Sequence, residues 1–207
     1  CQGWLELLNT DCLWCFGSMR FFMESHFKDW TYAQEIIWEK HNGSIFHSDR
    51  FRRVHEIVVQ FYRGKWGVLY KRPVYTFDAQ KKTIRSKGRP AHCGESRPAH
   101  YGEIGETVYV SEDGGPRLMR SVVYVPSCRG SAFHPTQKPV GIISPLIEYS
   151  VPEGGLVIDP FAGSGTTGVA AKELNRKCVL IEKEEAYCEI AARRLSQEVF
   201  NFGEDVR

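Results

Sequence analysis

The sequence predicts an α/β protein: a mixed, mostly parallel sheet with flanking helices and an irregular inserted region. Three observations carry this. Leu156-Val157-Ile158 is a buried-strand run that ends on Asp159-Pro160, after which a turn through Gly163 and Gly165 leads into a helical run from Thr166. A second apolar strand, Cys178 to Ile181, ends on Glu182, so strand, turn, helix and strand form one parallel unit. Residues 62–125 lack such periodicity and interleave aromatic with basic side chains.

A chain of 207 residues with 42% apolar content supports one domain with a sizeable core, plus an inserted subdomain. No apolar run approaches the roughly 20 residues that span a membrane, and no secretory signal is visible. Beginning at Cys1 rather than Met, the chain reads as a fragment or a processed product. Seven cysteines without a secretion signal point to reduced thiols in a cytoplasm. Cys12-Leu13-Trp14-Cys15 has C-x-x-C spacing but no second ligand pair, so no metal site is expected. The net charge of +2 is uneven: from Arg50 to Arg97, thirteen Lys or Arg stand against three acids, +10 locally. That balance points to a polyanionic partner.

In chain order, Trp4 to Leu8 reads as a short helical fragment, and Cys12 to Phe16 as a buried strand ending at Gly17-Ser18. Phe21, Phe22, Met23 and Phe27 predict a helix behind it. Tyr32 to Trp38 predicts a strand, Lys40-His41-Asn42-Gly43 a turn, and the β-branched stretch Arg52 to Phe61 another strand. His55-Glu56 reads as the entry to that strand rather than as an acid–base pair. In the irregular region Arg63, Lys65, Lys71, Arg72, Lys81, Lys82 and Arg85 are candidate phosphate contacts, with Trp66, Tyr70 and Tyr75 as stacking faces. Arg89 to Glu95 and Arg97 to Glu103 form an imperfect repeat, too short for a solenoid and read as an exposed loop. Arg120 to Val125 is a short strand. Thr136 is a candidate N-cap and Pro139 a first-turn residue for a helix through Ile142, Ile143, Leu146 and Ile147, with a kink at Pro145. Glu184 to Leu195 is an amphipathic helix, and the tail from Asn201 is expected to fray.

Both strand-end acids, Asp159 and Glu182, point to the place where open parallel sheets bind ligands. Gly163, Gly165 and Gly168 also satisfy G-x-G-x-x-G, so a dinucleotide must be considered. Asp-Pro-Phe-Ala, however, separates the strand from the first glycine, and a carboxylate there repels a pyrophosphate. S-adenosylmethionine (SAM) suits the site better: it carries a sulfonium, an ammonium and a ribose diol, and no phosphate. Glu182 can take the ribose hydroxyls, and the glycine turn lets the ligand lie against the backbone.

Asp159 to Gly168 resembles the SAM-binding motif of the amino-group DNA methyltransferases, and His134-Pro135-Thr136-Gln137-Lys138-Pro139 resembles its partner motif. With the partner motif placed first, the order is similar to the permuted beta arrangement, in which the catalytic motif and target-recognition region precede the SAM-binding motif. The resemblance implies a Rossmann-like SAM-dependent methyltransferase fold. Residues 1–61 would be part of the catalytic half, 62–125 the target-recognition insert and 126–207 the SAM-binding half. It implies SAM contacts from His134, Thr136, Gln137, Lys138, Asp159, Phe161, Ala162, Gly163, Ser164, Gly165, Thr166, Thr167 and Glu182. It further implies double-stranded DNA as partner and a bacterial, archaeal or phage-encoded enzyme of the kind found in restriction-modification. The implied activity is methyl transfer to an exocyclic base amine, adenine-N6 in preference to cytosine-N4. The base must be flipped out of the duplex for that chemistry.

The family holds the target amine with an Asp/Asn/Ser-Pro-Pro-Tyr/Phe/Trp loop. No Pro-Pro pair occurs among these 207 residues, so no catalytic residue is assigned. The permuted order places such a loop just before residue 1. The expectation is therefore a methyltransferase lacking its amino-terminal strand and catalytic loop, or a non-catalytic DNA- or SAM-binding remnant. A missing strand leaves an unpaired sheet edge, which predicts poor stability or association, as in a homodimer.

Overall fold

A computed structural model describes residues 9–25, 27–44, 49, 51–76, 116–128 and 130–196, with backbone only at 41–44. The chain divides into two units. One comprises Cys1–Val74 with Arg120–Arg207, and the other Tyr75–Met119. Arg63–Val74 and Arg120–Val125, assigned to the insert from sequence, thus fall in the larger unit.

The larger unit begins with β1 (Cys12–Gly17) and α1 (Met19–Glu24), which Ser18 caps by accepting the Phe21 amide at 3.2 Å. Phe27 lies beyond α1. Next come β2 (Thr31–Ser44) and β3 (Arg53–Tyr62). The expected turn at Lys40–Gly43 is instead strand: β2 runs on to pair Ser44 with Arg53, and a register shift between Glu39 and Ser44 absorbs the Asn-Gly step. β3 lies between β1 and β2 and is antiparallel to both. Parallel pairing needs a crossover of a dozen or more residues, and the stretch from Ser44 to Arg53 is too short for one. This part of the sheet is therefore antiparallel, not mostly parallel. β6 (Val122–Tyr124) closes the order β1-β3-β2-β6 by pairing parallel to β2, and the Trp38 indole donates to the Val125 carbonyl at 2.8 Å.

The run Ile57–Phe61, apolar except for Gln60, is buried on both faces of the sheet. On one face Val58 and Trp38 join α2 (Val140–Ser150) through Ile142, Ile143, Leu146 and Ile147. On the other, Ile57, Val59 and Phe61 pack with Trp30, Phe22 and Phe27. Gln60, 1% exposed, is satisfied: its amide donates to Cys12 Sγ at 3.2 Å and its oxygen accepts from Gln34 at 2.8 Å. Cys12 and Cys15 lie three residues apart on β1, so the pleat turns them to opposite faces, which prevents a shared metal. Among the described residues, no three His, Cys, Asp or Glu cluster as a metal site.

α2 starts at Val140 with Pro139 as its N-cap residue, later than the Thr136 expected from sequence. The proline ring keeps Lys138 out of the helical region, so the helix cannot begin earlier. Pro145 lies within α2 without ending it. β7 (Leu156–Asp159), α3 (Thr166–Glu173) and β8 (Lys177–Leu180) form the predicted parallel unit, followed by α4 (Glu185–Ser196). The small Ala170 and Ala171 of α3, both 0% exposed, bring it close to α2 in the shared core. Among the described residues, β1 and β7 each pair a strand on one edge alone. No described helix is long and apolar enough to cross a membrane.

In the smaller unit, β4 (Tyr75–Thr76) pairs antiparallel with β5 (Arg117–Leu118). Trp4–Leu8, Lys81, Lys82, Arg85, the Arg89–Glu103 repeat and the tail from Asn201 lie outside the described residues.

Candidate functional site

The site is built where β7 and β8 end. Asp159, the last residue of β7, accepts the Phe161 amide at 2.9 Å on one oxygen and the Thr167 hydroxyl at 2.5 Å on the other. It therefore holds both sides of the glycine turn. Glu182, just past β8, does the complementary job. One oxygen accepts the Gly163 amide at 2.8 Å, and the other accepts the amides of Lys183 and Glu184 at 2.9 and 3.1 Å. The Glu184 amide contributes most, and with the Gly163 and Lys183 amides and nearby His134 it outweighs burial and holds the Glu182 carboxyl below its ordinary value.

Gly163 and Gly165 adopt φ of +50° and +79°, the left-handed region that glycine enters without penalty. They are also pressed from outside. A Cβ at Gly163 would sit 3.4 Å from the His134 ring, and one at Gly165 would sit 2.7 Å from Ala191 Cβ of α4. The Gly165 amide donates to the Ala162 carbonyl at 2.8 Å. The amides of Phe161, Gly163 and Gly165 are thus spent on groups of the protein itself. A pyrophosphate cradle needs such amides free for the ligand. The donor set instead presents two carboxylates and a closely approachable backbone, which suits a cationic nucleoside without phosphate.

The segment before α2 meets this turn. The His134 ring packs edge-on against Tyr187, with centroids 4.3 Å apart, and its Nδ1 accepts the Thr136 amide at 3.2 Å. Gln137 Oε1 accepts from the Phe133 amide and from the Ser164 hydroxyl, both at 2.9 Å. Structure therefore brings His134 and Gln137 to the turn formed by Asp159 through Thr167, with Glu182 beside it, while exposed Thr136 bonds His134. Phe161 is 67% exposed, whereas Ala162, Ser164 and Thr166 are buried within the turn.

Lys138 goes elsewhere. Its ammonium reaches Glu56 of β3 at 3.4 Å and lies 5.4 Å from the centre of the Phe16 ring. Lys40 completes this group at 2.9 Å from Glu56 Oε2. Burial pushes the Glu56 carboxyl up, but the two lysines outweigh it and leave its pKa lowered. Among the remaining basic candidates, Arg63 stacks on Trp30 at 4.3 Å and Lys71 on Trp66 at 4.4 Å, while the side chains of Lys65 and Arg72 are exposed.

Two residues escaped the sequence reading. Arg194 of α4 donates from Nη1 to the Ser164 carbonyl at 2.5 Å and lies within 3.2 and 3.3 Å of the Ser164 and Thr166 hydroxyls. Tyr187 supplies the edge against His134. Both sit on a helix whose pattern is ordinarily amphipathic, so only the spacing Ala191 to Arg194, one helical turn on one face, could have pointed to them. A cavity of about 380 Å³ lined by Phe22, Phe27, Trp30, Ile57, Val59 and Phe61 lies on the α1 face and shares no residue with this group.

A strand-end carboxylate pair thus brackets a glycine turn at the ends of two parallel strands in this α/β fold. A family model described as DNA methylase, for N6 and N4 enzymes, matches residues 7–193, and the chain belongs to that family. The type II methyltransferase M2.DpnII of Streptococcus pneumoniae is 49% identical over 65 residues, 31% of this chain and 24% of that protein. M.HinfI of Haemophilus influenzae is 27% identical over 217 aligned residues, 95% of this chain and 51% of the relative. The chain thus spans between a quarter and about half of these curated relatives. A solved structure of an M1.HpyAVI–SAM complex superposes with a TM-score of 0.58 at 24% identity, over 94% of this chain and 79% of that one, which establishes the Rossmann-like methyltransferase fold.

Proposed function

We propose that this chain is the SAM-binding part of a site-specific DNA amino-methyltransferase. The observation that carries it is the turn between β7 and α3, where Asp159 takes the Phe161 amide and Glu182 the Gly163 amide, an acid-lined turn that favours a phosphate-free nucleoside. When bound, SAM supplies a methyl group on a sulfonium leaving group. Asp159 and Glu182 hold the turn in place, Glu182 retains a lone pair for a ribose hydroxyl, and Phe161 offers an exposed ring beside it. Gln137 and Ser164 tie the segment before α2 to the turn, closing one wall. In the reaction a nitrogen–carbon bond forms at the base amine as the carbon–sulfur bond breaks, and an amine proton leaves to solvent. Positioning rather than base strength is the main requirement for such a displacement.

Double-stranded DNA is the proposed partner, supported by the +10 charge of Arg50–Arg97 and by relatives named as type II methyltransferases. Adenine-N6 is the preferred target and cytosine-N4 the other, and the compartment is the cytoplasm that holds the DNA. Among the described residues β1 and β7 each pair on one edge alone, which supports a homodimer. The second reading is a non-catalytic DNA- or SAM-binding remnant.

The deciding experiment is methyl incorporation from labelled SAM into unmethylated duplex DNA, followed by nucleoside analysis, alongside SAM titration by calorimetry. N6-methyladenine or N4-methylcytosine establishes the enzyme and names the base. SAM binding without incorporation supports the remnant. Absence of SAM binding overturns the site.

A further inference from the structure

We infer that Arg194 is a positioning residue that locks the SAM-binding turn in its ligand-ready shape from outside the site. This inference rests on reading that turn as the cofactor site. Ser164 lies between the two left-handed glycines, and its carbonyl direction decides which way the turn backbone faces. It is 2% exposed, so water cannot orient it. Arg194 does so through the 2.5 Å bond to that carbonyl. The same guanidinium lies 5.5 Å from the centre of the Phe133 ring. Phe133 in turn donates its amide to Gln137 Oε1, which also accepts the Ser164 hydroxyl, each at 2.9 Å. The contacts close a ring: α4 to turn, turn to Gln137, Gln137 to Phe133, and Phe133 back to α4. A charged donor on a buried carbonyl is among the stronger hydrogen bonds, and losing it leaves that carbonyl unpaired. Ala191, one helical turn earlier, packs where a Gly165 Cβ would lie, so α4 presses the turn while Arg194 fixes its rotation.

The test uses the 207-residue chain and the variants R194Q, R194K and S164A. Amide hydrogen exchange at Gly163 and Gly165 is expected to accelerate about tenfold or more in R194Q, with the β3 amides of Val58 and Val59 unchanged. R194K, which keeps the charge but loses the fork, is expected to fall between R194Q and the parent. SAM affinity should weaken in the same order, with S164A adding little once Arg194 is gone because both act through one ring. Unaltered turn exchange in R194Q overturns the inference, as does equal acceleration in β3, which marks general unfolding. Should the parent chain bind no SAM, the site reading fails on its own while the exchange data still decide the role of Arg194.

Discussion

Glu182 and Gly163, nineteen positions apart, are joined by a 2.8 Å hydrogen bond from the glycine amide to the carboxylate. That bond fastens the turn after β7 to the tip of β8, and it occupies an amide that a phosphate ligand would need. Removing the charge in Glu182→Gln leaves at most one accepting oxygen for three amides. SAM affinity measured by calorimetry should fall at least about tenfold, with Glu182→Asp recovering part of it.

Protonation should act on the same group. The folded-state pKa of Glu182 is lowered, so the anchoring it provides is present above the ordinary carboxylate range and is lost as pH falls through the lowered value. A SAM titration series should show no loss from this group between neutral pH and the ordinary carboxylate value. A decline centred at or above that value would count against the anchoring.

Asp159→Ala removes the partner of both Phe161 and Thr167, and Gly163→Val forces a β-branched side chain into the left-handed region against His134. Each should abolish SAM binding; the valine carries a backbone cost of roughly 1–2 kcal/mol or more before any clash. Unchanged affinity in either variant would sink the site assignment.

Glu56 neutralises two lysines that come from different parts of the chain. Glu56→Gln leaves Lys40 and Lys138 facing each other half-buried, and should destabilise the fold by about 1–3 kcal/mol at neutral pH. The pKa of Glu56 is lowered on folding, so its stabilisation is full above the ordinary carboxylate value and fades as pH falls through the folded value. Urea melts of parent and variant should therefore converge in acid. A constant gap down to low pH would contradict the ion-pair account.

Salt dependence reads the basic segment. Replacing Lys65 and Arg72 with Gln, and separately Lys81, Lys82 and Arg85, should weaken DNA binding and flatten its salt slope by about one unit for each phosphate no longer neutralised. An unaltered slope in both sets would make this region an ordinary surface.

The strand–turn–helix at Asp159–Gly168 and the acid at Glu182 were legible because their information is local. A short apolar run, a proline stop, glycines at left-handed positions and a second apolar run encode dihedral angles and burial within about 25 consecutive residues. Boundaries set by neighbours were less legible. β2 continues through an Asn-Gly step because β3 offers it a ladder, and α2 waits until Pro139 because the ring excludes helix at Lys138.

Sequence alone therefore determined the α/β class, the glycine turn and the two acids that bound it. Tertiary structure decided which distant side chains hold that turn. Arg194 meets Ser164 from thirty positions away, Gln137 meets it from twenty-seven, and Lys138 leaves the site for Glu56, eighty-two positions earlier. Periodicity reports which face of an element is buried. It does not report which charged group the packing of α4 and β3 will bring opposite, because that depends on how the elements stack rather than on how each one forms.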